Sequence, residues 1–255
     1  MKRLLPAALA LCALASPAAA QAPMDPDFTE GGGTEIDHGS FRIYQSDKLL
    51  GTEVFVLMSN GDSLLVTSRS FQVLPGADTL RKTVAQVVGL MDYGLRSYRS
   101  TQRYGGHTVS RGLNLADTSF STYRQIDERG SADWLALPPG RVFVMDPKSF
   151  ICFDLICRSL QGKVFDRRPL KLFVLGPRDS MLDVTASDLG SETVRWGSRP
   201  VQARKLSIGD ARTTFTVWVA PRGNLLRLAE TTSGLRVERD PPAIKPRAPK
   251  PKPAG

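Results

Sequence analysis

The feature that most constrains this chain is its punctuation. From Phe41 to Glu238, β-rich runs are cut repeatedly by turn-forming pairs: Asn60-Gly61, Pro75-Gly76, Gly105-Gly106, Arg129-Gly130, Pro139-Gly140, Gly176-Pro177, Gly209-Asp210, Arg222-Gly223 and Ser233-Gly234. Glycine tolerates left-handed backbone and proline presets φ, so such pairs reverse a chain tightly. Strands joined by tight reversals pair antiparallel, whereas parallel pairing needs a long crossover each time. The expected fold class is mainly β, a curled antiparallel meander forming a half-barrel or open barrel.

Alternation inside the runs supports this. Phe215, Val217 and Val219 alternate with Thr214, Thr216 and Trp218. Thr118, Phe120 and Thr122 alternate with Ser119, Ser121 and Tyr123, and Val201, Ala203 and Lys205 with Gln202, Arg204 and Leu206. A period of two with one more apolar face is what a half-solvated antiparallel strand requires. Val54, Val56 and Met58 alternate with Glu53, Phe55 and Leu57, which suits a strand buried on both faces.

One segment breaks the pattern. Asp146-Pro147-Lys148-Ser149 opens FICFDLICRSLQG. Asp146 suits an N-cap, Pro147 a first helical position, and Gly162 a stop. Phe150, Phe153, Ile156 or Cys157, and Leu160 then recur at helical spacing. The spacing predicts one central helix from about 147 to 161, packed on the sheet by that face, with Lys148 and Arg158 nearer solvent. A helix makes truncation of Phe150 costlier than that of Ile151, and a strand reverses the order.

The ends of the chain read differently. MKRLLPAALALCALASPAAA has a positive start, an apolar core too short to span a bilayer, and small residues at 18–20. We read residues 1–20 as a signal peptide cleaved after Ala20, which sends the mature chain to the periplasm or outside the cell. Residues 21–39 are acidic and Gly-rich and read as a flexible leader. Residues 40–239 form the single β-rich domain. Residues 240–255, DPPAIKPRAPKPKPAG, lack the apolar residues to fold and read as a disordered Pro/Lys-rich tail. No later stretch is apolar enough to span a membrane.

The formal net charge is +9. Signal and tail carry much of it, which leaves roughly +4 on the body. Together with export, that argues against a nucleic-acid partner. The tail suits an anionic component of the envelope. Cys152 and Cys157 stay in the mature chain. Export permits a disulfide between them if the backbone bends, and buried apolar thiols are the alternative. His38 and His107 lie far from both cysteines, so no metal set or cofactor motif emerges.

Several elements follow one another in the second half: DPKSFICFDLICRSL, RRPLKLFVLGP, SETVRWGSRPVQARKLSI and FTVWVAPRGNLLRLAETTSGLRVER. This order of helix, strand, Glu-bearing hairpin and final Trp-strand pair resembles a group of bacterial periplasmic domains of unknown function. The resemblance implies a curled antiparallel sheet, loosely like the half-barrels of lipoprotein and lipid carriers. It transfers no catalytic residue.

Catalytic patterns do not assemble. Asp37, His38 and Ser40 are too crowded for a triad, and no serine stands in a Gly-x-Ser-x-Gly elbow. Asp133, Asp154, Asp183 and Glu192 read as surface or turn carboxylates. Arg96, Arg99, Arg103, Arg111 and Arg124 are interleaved with Tyr93, Tyr98, Tyr104 and Tyr123, a mix that suits either an anionic or glycan partner or a solvated sheet face. The reading is therefore a non-catalytic exported binding module for a lipid-like or other amphipathic ligand, with Phe55, Phe71, Phe120, Phe215 and Val217 lining its groove. The alternative is an envelope scaffold or assembly factor that binds protein or polymer through sheet edge and tail. A hydrolase is the third class. A filled interior favours the scaffold, and an open groove favours the carrier.

Overall fold

The computed structural model describes residues 33–73, 78–116 and 118–242. The signal peptide, most of the leader and the tail beyond Pro242 lie outside them. Fifteen strands form one sheet: β1 (Thr34–Gln45), β2 (Lys48–Asn60), β3 (Ser63–Val73), β4 (Thr79–Gly89), β5 (Leu95–Tyr104), β6 (His107–Leu115), β7 (Ser119–Ile126), β8 (Arg129–Ala136), β9 (Val142–Met145), β10 (Arg167–Val174), β11 (Ser180–Trp196), β12 (Arg199–Gly209), β13 (Thr214–Val219), β14 (Leu225–Glu230) and β15 (Leu235–Arg239). The one helix among the described residues, α1 (Ile151–Ser159), lies between β9 and β10.

The sheet order runs from β8 back to β1, then through β15 back to β9. Each half is thus a meander of neighbours in sequence, as the turn pattern requires, and β1–β15 joins the halves. The exception is β9, which runs parallel to β10 because α1 supplies the crossover. The sheet curls but does not close by a ladder: β8 and β9 are its two ends.

Burial shows how the ends meet. Val142, Phe143 and Val144 of β9 are all buried, as parallel strands covered on both faces are. All eight residues of β8 are exposed. Phe173 of β10 meets Phe120 of β7 with ring centroids 5.8 Å apart. Arg111 of β6 and Arg124 of β7 donate to the Gly176 and Pro177 carbonyls in the β10–β11 turn, each at 2.6 Å. The β9–β10 end therefore tucks beneath β5–β7, and β8 overhangs the seam.

Alternation sets the two faces. In β4 every second residue from Leu80 to Val88 is buried, while Arg81, Thr83 and Ala85 are exposed. The buried faces of strands from both halves converge on α1. The helix differs from its expected form in two ways. It is shorter, and Asp146 does not cap it; Asp146 instead accepts the Lys148 amide in a preceding turn, at 3.1 Å. It also has no solvent face, because all nine residues are buried, Arg158 at 8% exposure among them. Phe150 and Ile151 are both buried, so that pair does not separate helix from strand.

Both ends of the domain extend beyond their expected limits. β1 begins at Thr34, within the stretch expected to be leader. Asp240, expected to begin the tail, receives the Ser40 hydroxyl at 2.7 Å and pairs with Arg42 at 2.7 Å. Its amide donates to the Ser40 carbonyl.

Candidate functional site

The overhanging strand β8 is the part of the fold left open to a partner. Its phase follows from one hydrogen bond: the Leu137 amide donates to the Thr118 carbonyl at 3.0 Å. In that register Leu135, Asp133, Ser131 and Arg129 turn their backbone groups toward β7. Gly130, Ala132, Trp134 and Ala136 turn theirs outward, with no partner strand among the described residues. β8 carries neither lysine nor proline, the usual guards of a free edge. Trp134 is 71% exposed beside this edge. Tyr123 of β7 shares the Trp134 face and lies against Gly130, whose missing side chain leaves room for the ring at 3.4 Å.

The interior is closed by two polar networks that clamp α1. At its N-terminus the fully buried Glu53 accepts the Phe150 amide at 2.5 Å, the Ser149 hydroxyl at 2.6 Å and the Ser68 hydroxyl at 2.7 Å. It supplies from β2 the cap that Asp146 does not. Burial pushes its carboxyl above the usual range despite these donors. Beside it Asp146 holds both Lys82 and the Tyr98 hydroxyl, and burial and that carboxylate together raise the Tyr98 phenol well up. Along the helix Asp154 is also fully buried. It accepts Arg158 Nε at 2.6 Å, the Leu225 amide at 2.7 Å and Arg239 Nη1 at 3.5 Å. Asp37 closes that cluster against Arg158 and Arg239. Glu53, Asp146 and Asp154 are enclosed and held by donors, and the partly exposed Asp37 is paired with two guanidiniums, so the arrangement braces the helix.

The residues expected to line a groove separate. Phe55, Phe120 and Val217 are fully buried core, and Phe215 is half-buried with its ring 4.9 Å from that of Phe153 on α1. Phe71 is on the opposite face and 45% exposed. Helix side chains fill the space that a ligand would need. Where α1 ends, Leu160, Leu206, Val219, Pro221 and Arg204 line a depression of about 220 Å³, below the several hundred Å³ typical of small-molecule sites. A smaller one lies among Arg42, Trp196, Arg227 and Arg239.

Cys152 and Cys157 form no disulfide; both are free and buried. Five residues apart on a helix, they point about 140° away from each other. Burial pushes both thiols far above their ordinary range. His38 and His107 are exposed and pair with Glu35 and Asp127. Asp133, Asp183 and Glu192 are solvent-facing, whereas Asp154 departs from expectation entirely. Glu53 and Asp37 went unrecognised in the sequence. The signal for Glu53 was present: a lone acid in phase with Phe55 and Leu57. Among the described residues no group of three His, Cys, Asp or Glu could hold a metal ion, and no helix is long and apolar enough to cross a membrane.

No family model matches the sequence, and no curated protein matches it. Among solved structures, a beta-barrel-like protein of domain of unknown function DUF1849 from Brucella abortus aligns with a TM-score of 0.51. The alignment covers 80% of this chain and 94% of that one at 9% sequence identity. At that identity the likeness speaks for fold alone: the chain is similar in architecture to a beta-barrel-like domain of unknown function.

Proposed function

We propose that this chain is an exported, non-catalytic interaction module that captures an extended segment of a partner protein by strand addition at β8. The observation that carries this reading is the overhang: an eight-residue strand, exposed throughout, with its outer backbone groups unpaired among the described residues. An extended segment laid antiparallel to it would satisfy the amides and carbonyls of Gly130, Ala132, Trp134 and Ala136. The Trp134 side chain would offer an apolar hold beside that ladder. The packed interior supports the scaffold reading over the carrier reading, since α1 and its polar clamps occupy the middle of the curl. Export rests on the first 20 residues, and N-terminal sequencing of the mature protein should begin at Gln21.

The test uses a photo-crosslinking amino acid at Trp134 in cells, with the captured protein then purified. Hydrogen exchange of the complex should protect the amides of Gly130, Ala132, Trp134 and Ala136. Ala132→Pro removes an outward amide and keeps the β7 ladder, so it should weaken that complex by about tenfold or more. Protection confined to other strands, or unchanged affinity in a folded Ala132→Pro protein, would overturn the proposal.

A further inference from the structure

The outer face of the sheet consists of two unlike surfaces. Across β11–β15 and β1 most of its cations meet carboxylates. Lys205 pairs with Glu192 at 2.9 Å, Arg227 with Glu238 at 3.2 Å, and Arg42 with Asp240 at 2.7 Å. Across β3–β8 they do not. There the register places Arg81, Arg99 and Arg103 on the outer face, with no carboxylate at any outer position of these six strands.

The arrangement of these arginines is specific. Arg81 and Arg103 are direct cross-strand partners and both are exposed. Like charges set opposite each other destabilise a sheet. Among the described residues, no carboxylate lies within ion-pair distance of Arg81, Arg99 or Arg103. Arg99 stands opposite Gly112, and Gly112 opposite Tyr123. With no side chain at Gly112, a bare strip of backbone separates the guanidinium from the ring. Tyr123 and, one step diagonally, Trp134 are exposed on the same face. Between them lie hydroxyls and amides, including Thr101, Ser110, Asn114 and Gln125.

We propose that this face binds an acidic polysaccharide, a polymer of sugars bearing carboxylate groups. A guanidinium pair facing out from adjacent strands presents the planar donors that a carboxylate takes two at a time. Exposed Tyr and Trp rings offer apolar faces to the C–H surfaces of sugars, with a polar handle at hand. The interleaved hydroxyls and amides match sugar hydroxyls. They argue against a bilayer, where sinking them among acyl chains without partners carries a penalty. From β5 to β8 is three strand spacings, about 14 Å, so the ligand is a chain rather than a single sugar. This surface includes the Trp134 side chain of β8 but not the outward backbone groups of that strand, so it does not depend on strand capture there.

Affinity electrophoresis of the mature protein in gels containing polygalacturonate tests the proposal, with neutral dextran and phosphatidylglycerol vesicles as competing probes. Polygalacturonate should retard the wild type, while dextran should not. Arg81→Gln combined with Arg103→Gln should weaken binding by about tenfold, and Tyr123→Ala should weaken it severalfold. Arg212→Gln combined with Arg222→Gln, an equal change of charge on distant loops, should leave it unaltered. Unchanged retardation in a folded Arg81/Arg103 variant would overturn the proposal. So would an equal loss in the Arg212/Arg222 variant, which marks plain ion exchange, or binding of vesicles without polygalacturonate.

Discussion

Replacing Asp154 with alanine should show what holds the helix inside the sheet. The Asp154 carboxylate joins three elements: Arg158 one turn along α1, the Leu225 amide at the start of β14, and Arg239 at the end of β15. Its removal leaves a buried amide without an acceptor and two buried guanidiniums that share Asp37 as their one remaining carboxylate. Breaking a buried ion pair from one side costs about 3–5 kcal/mol, and an orphaned amide about 1–3 kcal/mol. These overlap, because the groups form one network. We expect a loss of about 4 kcal/mol, against a typical total of 5–15 kcal/mol. With a urea dependence near 3 kcal/mol/M for a domain of this size, the unfolding midpoint should fall by about 1.3 M. Replacing the whole cluster, with Asp37→Asn, Asp154→Leu, Arg158→Met and Arg239→Met together, should leave the protein closer to wild type than Asp154→Ala does. A midpoint shift under about 0.3 M for Asp154→Ala would refute the clamp, because it would mean that water already reaches these charges.

Three further outcomes follow from the same geometry. Burial works to raise the Asp37 carboxyl, but Arg239 and Arg158 outweigh it and hold it below the usual value of 3.8. Its stabilisation is therefore present above that value and lost as pH falls through the lower folded one. Asp37→Asn should be the less stable protein at pH 6, with the gap closing as pH drops below 3.8; a gap constant from neutral to acid pH would contradict this. In a protein starting at Gln21, Cys152 and Cys157 should resist a water-soluble thiol reagent when folded and react fully in urea; prompt native labelling would show that the helix leaves its site. Ending the chain after Pro242 should leave the melting temperature unchanged. Ending it after Arg239 removes Asp240 from Ser40 and Arg42 and should lower it by roughly 2–4 °C.

The sequence by itself determined the local order of this protein. Turn pairs and period-two alternation are properties of a few consecutive residues, and they sufficed for a mainly β meander with one helix between Asp146 and Gly162. What they could not encode is which strands would lie across the curl from one another. Asp154 reads as a polar helix residue, and only β14 and β15 packing from the far half make it the most enclosed carboxylate in its cluster. Glu53 looks like an interruption in an apolar strand until the helix end arrives above it, 97 residues along the chain. Phe71 and Phe55 are both aromatic residues on long strands. Register alone sends one into the core and the other to solvent, because a shift by one residue exchanges the faces. The overhang of β8 is likewise a global outcome. Its sequence differs little in kind from its neighbours, and it is left open because the sheet turns past closure before its last strand finds a partner.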